Sequence, residues 1–66
     1  MTVHLTPEQY KEKYDRIFPI MKAKGLSDRD ADIVTIRKIH PTSTRPLANY
    51  YGISVDEVKK IVAENW

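Results

Sequence analysis

Gly52 is the position that most restricts how this chain can fold. It separates two stretches whose apolar residues recur at helical spacing, Leu47, Ala48 and Tyr51 before it and Val58, Ile61 and Val62 after it. Glycine reaches positive φ without a steric penalty, so it can end one helix and turn the chain tightly into the next. Ile53 follows as an apolar plug for that turn. Ser54 and Glu57 stand at the S-x-x-E spacing of a capping box, which starts a helix by satisfying backbone N–H groups that lack a partner within it. Ala48, four residues before the glycine, is small where two crossing helices have to approach closely. Residues 44–63 therefore read as a helix, a turn and a second helix with the spacing of a helix-turn-helix.

The segments before this pair carry helix signals of their own. Thr6 is placed to cap a first helix, with Pro7 at its first position and Gln9 closing a capping box. Tyr10, Tyr14, Ile17, Phe18 and Met21 then recur along one face. Pro19 removes a backbone donor and crowds the preceding turn, which leaves open a kinked continuous helix or two separate pieces, ended by Gly25 in either case. Ser27 caps the next helix, and Asp28 and Asp30 fall in its first turn, where the helix dipole favours acids. That helix runs to about Ile39, stopped by Pro41. Its Ile33, Val34, Ile36 and Ile39 spread over a wide arc, as suits a helix contacted from two sides. Thr42-Ser43-Thr44 is a polar linker, with Thr44 expected to cap a helix opening at Arg45-Pro46. The reading is an all-α compact bundle of four helices, or five if Pro19 divides the first. It forms one domain, with residues 1–25 bracing the core or mediating association and residues 26–66 forming the helix-turn-helix module.

A chain of 66 residues has room for one core, and such a core rarely supplies more than about 3–5 kcal/mol. The absence of cysteine excludes disulfides and thiolate chemistry. His4 and His40 are too isolated for a metal site, and no Ser/His/Asp set, glycine-rich phosphate loop or paired carboxylates stand out. The expectation is a protein without enzymatic activity, cofactor or metal. No apolar run approaches a membrane span, and the start lacks the features of a secretory signal, so a cytoplasmic location is expected.

The net charge of +2 is small, but its distribution is informative. Residues 33–55 hold Arg37, Lys38, His40 and Arg45 and no acid, a locally basic stretch of the kind that faces a nucleic-acid duplex. In a helix-turn-helix the second helix enters the major groove. Its outward positions are read as Ser54, Val55, Asp56, Lys59, Lys60 and Ala63. The lysines can pair with phosphates or with guanine O6 and N7, Val55 with a thymine methyl, and Asp56 with cytosine N4. Glu57 is explained by the capping box. Ser43, Thr44, Arg45, Asn49 and Tyr50 cluster where the first helix of the pair crosses the backbone, with Arg45 and the helix start forming a phosphate seat. For Ser43 and Thr44 simple capping stands beside phosphate contact as a reading, and Trp66 is read as covering the core edge. Double-stranded DNA is the expected partner. A protein-interaction module that binds host transcription or replication machinery is the alternative, to which the acids Asp56 and Glu57 would be suited. The aromatic stripe of the first helix suggests a homodimer and is equally the pattern of an ordinary core.

From Leu26 to Trp66 the chain resembles the small helix-turn-helix modules found in phage proteins and at the C-terminus of HNH homing endonucleases. The resemblance rests on Leu26-Ser27-Asp28, Ile36-Arg37, Leu47-Ala48, Tyr51-Gly52-Ile53-Ser54, Val58-Lys59-Lys60-Ile61 and Trp66. The same core is similar to the promoter-reading region of sigma factors. The resemblance implies DNA binding, with Arg45 and the outward residues of the last helix as contacts, and a regulator encoded by a phage or mobile element. Two features depart from it: Val55-Asp56-Glu57 stands where such modules carry Ser/Thr-rich or basic residues, and no nuclease motif is present.

Overall fold

The computed structural model describes residues 6–65 and contains, within them, four helices and no strand. They are α1 (Pro7–Ala23), α2 (Asp28–Ile39), α3 (Thr44–Tyr51) and α4 (Val55–Asn65). His4 and Trp66 lie outside the described residues.

Each of the first two helices starts as its local chemistry dictates. Thr6 and Gln9 form the full capping box, each side chain accepting from the other's backbone N–H at 3.1 Å. Ser27 Oγ accepts from Asp30 N–H at 3.2 Å. Pro19 does not divide α1, which continues through it to Ala23. The carbonyl that loses its donor belongs to Asp15, and Asp15 and Pro19 are both exposed. On that exposed side the freed carbonyl is open to solvent, so the proline is tolerated there. Gly25, at φ +92°, then turns the chain into α2.

α2 is the hub of the molecule. It packs against α1, α3 and α4, and α3 also packs against α4. Ala31, Ile33, Val34 and Thr35 are all completely buried, which for four residues within five positions means burial around most of the helix circumference. The Thr35 hydroxyl avoids an unsatisfied burial by donating to the Ala31 carbonyl one turn back, at 2.6 Å. Met21 from α1, Leu47 and Ala48 from α3, and Val58 and Ile61 from α4 complete the core. Tyr10, Tyr14, Ile17 and Phe18 are half-buried on the inner side of α1. Ile17 and Phe18 pack on the core, and Tyr14 stacks on Phe18 with ring centroids 5.3 Å apart. The apolar stripe of α1 thus faces inward within one chain, with Met21 buried and the others half-buried.

The junction between α3 and α4 follows the glycine rule. Gly52 sits at φ +66°, ψ +33°, and its N–H donates to the carbonyls of Ala48 and Asn49. Ile53 N–H reaches back to the Ala48 carbonyl at 3.0 Å, which completes a Schellman closure. Ser54 Oγ accepts from Glu57 N–H at 3.0 Å and so starts α4.

Two substitutions check this junction. Ala48 is only 2% exposed, so Ala48→Leu should overpack the contact of α3 with the core and lower stability by about 1–3 kcal/mol. Gly52→Ala meets no atom within 4 Å of the new Cβ, and its cost is confined to the backbone. That should be about 1–2 kcal/mol. Chemical denaturation of each variant, followed by circular dichroism, measures both, and an unchanged midpoint for Ala48→Leu would remove Ala48 from the packed junction.

Candidate nucleic-acid interface

The outer surface of α4 follows from which of its residues the core consumes. Val58 and Ile61 are buried, and Val55 and Val62 are half-buried against the core. Asp56, Lys59, Lys60 and Ala63 are exposed, and their spacing of three, four and seven residues places them on one face. Val55, read as outward, instead turns much of its side chain into the core. The reason is that an opening helix turn carries only one or two apolar residues with which to anchor itself. Ser54 is exposed but is engaged as the cap of α4. Asp56 and Glu57 lie in the first turn of α4, where they complement the positive end of the helix dipole.

A second group of residues forms where α2 ends and α3 begins. Arg37, half-buried near the end of α2, donates from Nε to Thr44 Oγ1 at 2.9 Å. Ser43 Oγ donates to the His40 carbonyl at 2.6 Å. The expected capping by Thr44 is therefore corrected: α3 begins at Thr44 itself, Ser43 occupies the cap position, and neither hydroxyl caps the helix. Backbone conformation and Pro46 together supply the physical reason. A capping residue is normally extended and bonds the N–H of the second or third helical residue; Ser43 instead sits at φ −87°, ψ 7°, and Pro46, the third, has no N–H. The hydroxyls are left to tie α3 back to α2. Arg45, beside them, is exposed, as are Lys59 and Lys60, and among the described residues none of the three enters an ion pair. Exposed cations thus stand at the start of α3, as Arg45, and on the outer face of α4, as Lys59 and Lys60 beside the exposed acids Asp56, Glu57 and Glu64.

Tyr50 and Tyr51 divide as their adjacent positions require. Tyr50 is 79% exposed, and its ring meets that of Tyr51 edge-on at 4.8 Å. Tyr51 turns inward and donates its hydroxyl to one carboxylate oxygen of Asp32. Tyr14 of α1 donates to the other. One carboxylate on α2 thus holds α1 and α3 together, and this clamp helps to set where α3 and its basic start lie. Sequence reasoning missed it. Asp32 lies on the same helix as the all-round apolar pattern, and its two partners are 18 and 19 residues away. Two tyrosines at inward positions were the available signal, since a buried phenol needs an acceptor. His40, expected at the surface, is exposed and stacks on Tyr10 with centroids 5.2 Å apart. Beside the clamp runs an open groove of about 440 Å³, lined by Asp32, Ile36, Ser43, Pro46, Leu47 and Tyr50.

Among the described residues no three histidine, aspartate or glutamate side chains are grouped to hold a metal ion. Among the described residues no helix is long and apolar enough to cross a membrane. Comparison with protein-family models, curated proteins and solved structures finds no match for this chain.

The clamp has a pH signature. Burial, followed by the hydrogen bond to Asp32 and its charge, raises the pKa of Tyr14 and Tyr51 above the ordinary value of 10. The folded chain therefore holds these protons more tightly than the unfolded chain does. The associated stability is fully present below pH 10 and is lost as pH rises beyond it. Denaturant midpoints should stay level from neutral pH to about 10 and then fall. In the Tyr14→Phe, Tyr51→Phe double variant the alkaline fall should be much reduced. At neutral pH, Asp32→Ala should destabilise by about 1–3 kcal/mol, because two half-buried hydroxyls lose their acceptor.

Proposed function

We propose that this protein binds double-stranded DNA in a sequence-dependent manner, with α3 and α4 acting as a helix-turn-helix, and that it serves as a transcriptional regulator of a phage or mobile element. The observation that carries the reading is the close α3–α4 junction, with Ala48 buried beneath it and an outer α4 face left uncovered. In such a pair the second helix enters the major groove while the first crosses the backbone. Lys59 and Lys60 then meet the duplex from α4. Arg45, with the exposed Tyr50 on the same helix, meets phosphates from α3. Ser43 and Thr44 support this contact from behind, by joining the start of α3 to the end of α2. The acid-free stretch of residues 33–55 keeps α3 free of carboxylates that would repel the phosphates, while α4 carries the exposed acids Asp56, Glu57 and Glu64.

A mobility-shift titration with random duplex DNA tests the proposal. Each cationic contact with a phosphate releases counterions, and the logarithm of the affinity falls with the logarithm of salt by about 0.9 per contact. Lys59→Ala with Lys60→Ala should weaken binding to every duplex and flatten that slope by about two units. If the folded protein binds no duplex at low salt, the proposal fails. The groove beside Tyr50 and the acids of α4 would then favour a protein partner in the transcription or replication machinery.

A further inference from the structure

The outer face of α4 has a composition that selects among base pairs. We infer that α4 reads G·C pairs, with Asp56 accepting from cytosine N4 and Lys59 or Lys60 donating to guanine O6 and N7 on a neighbouring pair. This rests on the DNA-binding reading above and goes further by naming the class of site.

Hydrogen-bond capacity decides which base edges such a face can meet. The exposed residues of α4 are Asp56, Glu57, Lys59, Lys60, Ala63 and Glu64, so apart from Ala63 the face offers only ammonium and carboxylate groups. An ammonium group only donates and a carboxylate only accepts. In the major groove guanine presents two acceptors and no donor, and cytosine presents a donor. Adenine presents a donor and an acceptor side by side, which an amide side chain matches and neither a lysine nor a carboxylate does. The one amide on α4, Asn65, is half-buried and donates to the Ile61 carbonyl at 2.8 Å, so it is unavailable to a base. Thymine presents its methyl group and O4; of the residues of α4 suited to the methyl, Val55 packs on the core, and the exposed Ala63 lies near the end of the helix, away from the first turns that meet base edges.

The spacing agrees. Asp56 precedes Lys59 and Lys60 by three and four residues, or about 4.5–6 Å along the helix axis. Successive base pairs are about 3.4 Å apart, so a helix lying along the groove places the acid and the lysines one or two pairs from each other. Asp56 also forms no ion pair with either lysine, although its spacing to both would permit one. A carboxylate facing DNA is repelled by phosphates, and a cytosine amino group is the major-groove feature that offsets that repulsion.

The test uses two 14-base-pair duplexes of equal length, one with a central G·C block and one with a central A·T block, titrated with the whole protein by fluorescence anisotropy. The wild-type protein should prefer the G·C duplex by about tenfold or more. Asp56→Asn keeps a good helix-start residue and supplies an amide that pairs with adenine. It should shift preference toward duplexes with an adenine in place of the contacted cytosine, located by walking single substitutions through the block. Equal binding of both duplexes by the wild type overturns the inference while leaving DNA binding intact. So does a uniform rise in affinity for every duplex on Asp56→Asn, since that would mark simple relief of repulsion. Binding of neither duplex at low salt overturns both this inference and the reading beneath it.

Discussion

Everything in this molecule depends on the burial of α2. Ala31, Ile33, Val34 and Thr35 have no exposed surface, and a helix buried on so many sides cannot exist without neighbours on each of them. α1 covers one side, while α3 and α4 cover the rest. With the contact of α3 on α4, these packing relations make a closed set that leaves the outer sides of α1, α3 and α4 to solvent. The exposed surface proposed to meet DNA is thus what remains after α2 has been covered.

Because the core is small, its polar joints matter in proportion. A core of this size supplies only a few kcal/mol, and a satisfied pair of half-buried hydrogen bonds is a large fraction of that. The Asp32 carboxylate, with Tyr14 and Tyr51 as donors, restrains α1 and α3 through one residue of α2. Arg37 and Thr44 restrain the other end of α3. An eight-residue helix is too short to be stable alone, and α3 is fastened near both ends by hydrogen bonds to α2. These fastenings fix the position of Arg45 and, through the Schellman closure at Gly52, the direction in which α4 leaves.

The proposed chemistry uses this rigidity. Reading base pairs requires side chains held on a defined helix face, and α4 is anchored by Val58 and Ile61 directly opposite Asp56, Lys59 and Lys60. The acids at its start stabilise the helix through the dipole whether or not a duplex is bound.

The helices themselves were legible in the sequence because their signals are local. Thr6 with Gln9, Ser27 with Asp30, and Ser54 with Glu57 are each three residues apart, and the two positive-φ glycines act within a single turn. The inward positions of Leu47, Ala48, Val58 and Ile61 followed from periodicity alone. The start of α3 was misplaced by one residue, because Ser43 is not extended as a capping residue normally is and Pro46 lacks one of the N–H groups a cap could engage. The role of Asp32, the Arg37–Thr44 bond and the inward turn of Val55 were decided only by tertiary structure. Each depends on which helices lie against α2 and at what height, and that arrangement is set by packing between segments far apart in the chain, where no local spacing rule operates.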